Sequence, residues 1–355
     1  MRRAPPSLLL LALHAACGTT SEPSPSAAAS VPAAPVAPPR SAPDEVSAAP
    51  PVAVPDADPV DALVQQLRLL EFDPAPAGTT NDKHYLVSNE RRLDLYRPDI
   101  DGLGGVALGV GTDQNYIMAA WSRPQLLVIV DFDLQVVDLH AVHGAFFRAA
   151  PDIEALRRLW SAEGVETARA ILRQLPAGPP RARQIALYES SRAEVDKRLR
   201  VLTRRYEELD IRSYLDTPAE YDFVRDLFVR DRVVAIRGDF TEPGVVRRVG
   251  EVLSAHAQTV RVLYLSNIEQ YFRYREPFKR NMLQLPFDGS TLVLRTLPGR
   301  PAGFQYMLQR GADFHTWMRA SKVWSVYRMR GFIKGEPLAA SERWFIETLP
   351  SDRDG

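Results

Sequence analysis

The chain has 355 residues, 45% of them hydrophobic and 25% charged, which is enough apolar material for one large domain or two smaller ones. Lysine plus arginine, 44, balances aspartate plus glutamate, 44, so no net positive field marks a nucleic-acid or anionic-membrane binder. The single cysteine excludes an intramolecular disulfide framework and a thiolate zinc cluster. Lysine occurs only at Lys83, Lys197, Lys279, Lys322 and Lys334; the arginine excess reads first as a GC-rich coding bias.

The N-terminus opens Met1-Arg2-Arg3, continues as an apolar run from Ser7 to Ala16, and reaches Cys17 followed by Gly18-Thr19-Thr20. A basic start, a brief apolar core and small residues before a cut describe a secretory signal, and the run is too short to stay in a bilayer as a spanning helix. The string Leu13-His14-Ala15-Ala16-Cys17 resembles the box of bacterial lipoproteins, with His14 where Leu, Val or Ile is usual. That resemblance implies a signal peptide over 1–16, lipid on Cys17 and a place in the cell envelope. Gly18 in place of the aspartate that retains some lipoproteins at the inner membrane favours the outer membrane. From Cys17 to residue 60 the chain is rich in Ala, Pro and Ser, and 13 of its 29 prolines fall before residue 60. Such a segment cannot bury enough surface to offset its ordering entropy and reads as a disordered tether. The folded domain is expected over 61–350.

Asp61 to Glu71 has helical apolar spacing behind an acidic start. Asn81 to Asp99 is polar and aromatic by turns and reads as an irregular lid. Gly105 to Gly111 is a short apolar run ending in glycines, Asp113 to Ser122 a helix stopped by Pro124, and Leu126 to Asp131 a β-branched strand ending in a carboxylate. From His140 to Arg230 helical spacing dominates, with helices over 153–160, 165–175, 185–209 and 220–229. Pro176 and Pro179-Pro180 separate the middle two, and the charges of Arg198 to Glu208 read as a solvated face. Strand character returns over 232–239, 259–266 and 290–296, with a helix over 244–255. The runs 304–308 and 323–333 are candidates to complete the sheet. Alternating strands and helices predict a doubly wound, Rossmann-like α/β sheet whose ligands sit at the strand C-termini. The block of about 140–230 is an insertion between strands two and three.

Gly109-Val110-Gly111-Thr112-Asp113-Gln114-Asn115 follows the first strand, and Asp131 ends the second. This is a nucleotide-site layout, with glycines for close backbone approach and an acid for ribose hydroxyls. Gln114 stands where the dinucleotide fingerprint has its third glycine, and Asp113 in the first helical turn repels a pyrophosphate. NAD and FAD are thereby disfavoured, and the absence of Gly-Lys-Ser/Thr argues against nucleoside triphosphate hydrolysis. The order of elements resembles a class I methyltransferase over about 104–296. The resemblance implies S-adenosylmethionine held by Gly109, Gly111, Asp113, Asn115 and Asp131, with Asp239 near the adenine and Asn267 or Glu269 toward the substrate. Ala107 replaces the usual acid before the first glycine, and strand four ends Ser266-Asn267-Ile268-Glu269 instead of in an Asn/Asp-Pro-Pro-Tyr box.

Ser88-Asn89-Glu90, Gly104 to Tyr116, Arg123-Pro124 and Leu263 to Tyr271 are together similar to a family of predicted bacterial lipoproteins of the leptospiral type, of unknown function with a methyltransferase-like core. His140 and His143, three apart near Asp138, lack a third cluster and read as core histidines, so no metal is expected. Trp317, Trp324, Tyr327 and Phe332 read as core. Two functions follow: a lipid-anchored extracytoplasmic protein whose inherited fold binds a small molecule or partner, or an active S-adenosylmethionine-dependent methyltransferase. They conflict over compartment, because that cofactor is made and used in the cytoplasm, and the leader, cysteine and tether agree in favouring the first.

Overall fold

The structure, a computed structural model, describes residues 58–76, 78, 83–299, 303–330 and 343–346. The leader, Cys17 and most of the tether lie outside them, as does Phe332. Helix α1 (Pro59–Arg68) starts where Asp58 accepts from the Val60 N–H and Pro59 opens the first turn. Residues 83–92 then run without regular structure into a 3-10 turn (Leu93–Tyr96) and the short α2 (Arg97–Ile100).

Strands β1 (Val106–Gly109) and β2 (Leu126–Asp131) are buried at every position, as parallel strands covered on both faces are. Between them lies α3 (Gln114–Ser122), which stops on left-handed Arg123 before Pro124. Five helices connect β2 to β3 (Val233–Arg237): α4 (Leu134–Ala149), α5 (Ile153–Trp160), α6 (Val165–Leu172), α7 (Pro179–Glu208) and α8 (Pro218–Val229). The prolines separate α6 from α7 as expected, but Pro179 and Pro180 themselves form the first turn of α7, where their missing N–H groups go unused. The helix therefore starts upstream of the expected Ile185.

After β3 come α9 (Val245–Ala255), β4 (Val260–Tyr264), a 3-10 turn (Ile268–Tyr271), α10 (Glu276–Gln284), β5 (Leu292–Gly299) and β6 (Gly303–Arg310). Helices α11 (Gly311–Arg319) and α12 (Val326–Arg330) and strand β7 (Arg343–Ile346) follow. The run at 323–333 is no strand where it is described. Val323, Val326 and Met329 bury at three-residue spacing, a helical period, and leave Trp324 and Tyr327 about half exposed. Those two aromatics are not core; Trp317 is.

The sheet order is β3-β2-β1-β4-β5-β6-β7. The first five are mutually parallel, β6 runs antiparallel to β5, and β7 is parallel to β6. This is a mostly parallel α/β sheet compatible with a Rossmann-like fold, and its order reverses between β1 and β4, the place where such sheets leave a crevice beyond the strand C-termini. Alternation along the strands feeds two cores. Ala107, Leu127 and Ile129 pack with the helices between β2 and β3. Val106, Leu108, Val128 and Val130 pack with α1, α9, α10 and α11.

Candidate functional site

The glycine turn after β1 is filled by its own chain. A Cβ on Gly109 would lie 1.9 Å from Asn115 Oδ1, and one on Gly111, at φ +85°, would lie 2.1 Å from Gln114 Nε2. Asn115 Nδ2 donates to the carbonyls of Val110 and Thr112 at 3.1 and 3.2 Å, and Gln114 Oε1 accepts from the Thr112 N–H at 2.9 Å. The glycines thus open room for two side-chain amides that staple the turn from inside. Asp113 is also turned inward. Its carboxylate pairs with Arg198 Nε at 2.9 Å, both side chains under one-tenth exposed, and accepts from the Ser88 N–H at 2.9 Å. Arg198 lies in the stretch expected to be solvated; it is buried because it reaches this carboxylate, and Leu199, Leu202 and Tyr206 bury with it.

Asp131, at the end of β2, accepts from the N–H groups of Gly111 (3.1 Å) and Asp133 (2.9 Å). Burial pushes its carboxyl up to about 7 despite those donors. Asp133 caps α4 and meets His84 Nδ1 at 2.7 Å. Asp239 turns to its own loop, where Oδ1 accepts from the N–H and hydroxyl of Thr241. Asn267 is half-buried ahead of the 3-10 turn. Glu269 does not face the crevice: it is 1% exposed and bound at 2.6 Å to Arg295, itself fully buried. The two carboxyl oxygens are shared between that guanidinium and Tyr274 Oη. The structure therefore gathers Gly109, Gly111, Asp113, Asn115 and Asp131, while Asp239 serves its own loop. Cys17 lies outside the described residues.

The site residue that sequence reasoning missed is Glu90. The irregular segment 83–92 crosses the C-terminal ends of the strands, touching Asp133 through His84, Asp113 through Ser88, and β4 and β5 through Glu90. Glu90 is 1% exposed, and its carboxylate lies over the C-terminal ends of β4 and β5, beside the order reversal of the sheet. Four hydroxyls donate to its carboxylate: Ser88 at 3.0 Å, Ser266 at 2.9 Å, Thr296 at 2.6 Å, and Tyr264. Burial beside Glu90 holds the Tyr264 phenol well above its usual range, so it stays protonated and donates. Ser266 is held at φ +47°, a conformation a non-glycine residue adopts at a cost. Arg198 Nη1 donates to the Glu90 carbonyl at 2.9 Å, and Arg198 Nη2 is buried without a hydrogen-bond partner. The only sequence signal for this cluster is that Ser88-Asn89-Glu90 and Leu263 to Tyr271 both belong to the resemblance strings. No periodicity announces it.

His140 and His143 form part of the core wall behind the turn. Burial lowers them to about 4 and about 3, so both are neutral. The Gly111 carbonyl can only accept, so His140 Nε2 carries the proton toward it at 2.9 Å and Nδ1 accepts from Tyr116 Oη at 2.5 Å. Asp138 is taken by Arg183. Among the described residues no cluster of His, Cys, Asp and Glu is arranged to hold a metal.

The residues do not fit S-adenosylmethionine in the way the resemblance implies. The glycine openings are occupied by Asn115 and Gln114, and the two carboxyl oxygens of Asp131 are taken by backbone N–H groups, one from the glycine turn and one from its own loop. A cavity of about 470 Å³ is lined by Tyr206, Asp210, Arg212 and Asp216 on the helical side, and by none of these residues. No curated protein matches the chain. Over residues 85–341 the sequence matches a family described as a domain of unknown function, DUF7790, and the chain belongs to that family.

Proposed function

We propose that the chain is a lipid-anchored protein of the cell envelope whose domain binds a small molecule at the C-terminal crevice of the sheet and does not transfer methyl groups. The observation that carries the binding half is the polar cluster at the order reversal. Glu90, Asp113, Arg198, Tyr264, Ser266 and Thr296 converge there from five separate segments, and buried polar groups converge where a fold of this kind meets its ligand. The stapled glycine turn argues against the second reading, an active methyltransferase with a helical insertion between strands two and three. The leader and tether support the location: Cys17 follows a short apolar run, and the Pro- and Ala-rich segment beyond it would let the domain reach away from the membrane. No helix among the described residues is long and apolar enough to cross a membrane.

Calorimetric titration of S-adenosylmethionine and S-adenosylhomocysteine tests the chemical half, with Asp131→Ala as control. The expected result is no saturable heat. Micromolar binding lost in the variant would restore the enzyme. Cys17→Ala tests the location: the wild type is expected in the membrane fraction with a mass increment of acyl chains, and the variant in neither state. A wild-type chain found unprocessed in the cytosol would overturn the anchor.

A further inference from the structure

We infer that the Glu90 side chain is a built-in surrogate ligand, and that the crevice it plugs is a binding site for a small carboxylate-bearing molecule. Once Glu90 is lifted out, Tyr264, Ser266 and Thr296 present three hydroxyl donors from two strand ends to one point. A carboxylate is acceptor-only with about four lone-pair sites, so it can take all three hydroxyls as donors at once, as the Glu90 carboxylate does here. Arg198 stands next to this point, on the backbone of Glu90. Its Nε holds Asp113, its Nη1 holds the Glu90 carbonyl, and its Nη2 is buried and free of hydrogen bonds, an uncommon state for a guanidinium N–H.

The plug belongs to a segment held without backbone pairing to the sheet. Residues 83–92 contribute no strand to the sheet. They are fastened by side-chain contacts: the His84–Asp133 pair with its half-exposed imidazole, the Ser88 N–H on Asp113, and the N–H groups of Arg91 and Arg92 on Tyr306 Oη at 3.1 and 2.9 Å. A carboxylate ligand competing with Glu90 would trade one set of hydroxyl contacts for an equivalent set. This gives an exchange in which the empty protein keeps its crevice satisfied and closed. The inference rests on the binding reading above and names the ligand class for the same crevice.

The test removes the surrogate and supplies a free one. In the full chain carrying Glu90→Ala, acetate and propionate at constant ionic strength are expected to raise the melting temperature saturably by mass action, with chloride inert. Adding Thr296→Val is expected to abolish the rise. A folded Glu90→Ala protein that responds to neither carboxylate overturns the inference. Amide exchange on the wild-type chain decides independently if that variant does not fold. The amides of residues 88–92 are expected to exchange through an opening at least about 100-fold more frequent than that of β1 and β4. Exchange of the segment only together with those strands shows that the plug never leaves and also overturns it. The two readings fail separately: S-adenosylmethionine, itself a carboxylate, is scored by loss of binding in Asp131→Ala, whereas the acetate response is scored by its loss on adding Thr296→Val.

Discussion

Gly109 and Gly111 show how a glycine pair can serve the chain that carries it. At both positions the space of the missing Cβ is taken by an amide from the first turn of α3, and at Gly111 the positive φ alone excludes most other residues. Gly109→Ala forces Asn115, buried at 2% exposure, to give way, and overpacking of this kind costs about 1–3 kcal/mol. Because the conflict is with one side chain, Asn115→Ala is expected to relieve part of it, with a coupling energy of about 0.5–3 kcal/mol in the double-mutant cycle measured by urea unfolding. Additivity of the two variants would mean that the turn does not close on itself. The distinction could not be read from the sequence, since Gly-x-Gly followed by polar residues has the same letters whether the amides point into the turn or toward a ligand. The same holds for Glu269, which reads as a polar residue beyond a strand and proves to be half of a buried ion pair with Arg295.

At the scale of elements, α7 contributes more than a solvated face. Arg198, eight residues before Tyr206 on the same side of the helix, carries the helical block onto the first turn of α3 through Asp113. Removing one partner of a buried pair strands the other charge, so Arg198→Met is expected to destabilise by about 3–5 kcal/mol, while Arg198→Met with Asp113→Asn loses less than the single change. Urea midpoints at constant slope provide the measurement. An equal or larger loss in the double variant would show that the contact is packing rather than charge. Most elements were legible, because β1 is a short apolar run ending in glycine, β2, β3 and β4 are short runs rich in β-branched residues, and α5 has a sharp apolar period. Helices α10 and α11 were not: both mix charged and aromatic residues along their length, and what makes them helical is burial of Phe278, Met282, Phe314 and Trp317 against the second core. The segment 83–92 has no period at all. Its place is set by contacts with residues more than twenty positions away, among them Asp113, Tyr264, Thr296 and Tyr306, which is why Glu90 stayed hidden.

For the whole molecule, three buried groups around the glycine turn impose opposing dependences on pH. Asp131 titrates at about 7 in the folded chain and near 3.9 unfolded, so the stability it favours is complete below the unfolded value and is lost as pH rises toward 7. His140 and His143 titrate at about 4 and about 3 when folded and near 6.5 when unfolded, so their contribution is present above 6.5 and is lost as pH falls. Between about pH 5 and 6 the unfolded chain therefore binds two protons at the histidines while the folded chain binds one at Asp131. The net of one proton makes stability rise by about 1.4 kcal/mol per pH unit from these groups. His143 lies against Trp160 at 4.8 Å and Tyr116 at 5.3 Å between ring centroids, so His143→Phe conserves the packing and removes one titration; its slope is expected to fall by about 1.4 kcal/mol per pH unit. Asp131→Asn removes the opposing proton, and its slope is expected to steepen by the same amount. Urea unfolding at pH 5.0, 5.5 and 6.0 (on the order of a half-unit apart, inside the window the shifts define) reads both changes. Slopes that stay parallel to the wild type would mean that water reaches these groups, and that the wall behind the glycine turn is open to solvent.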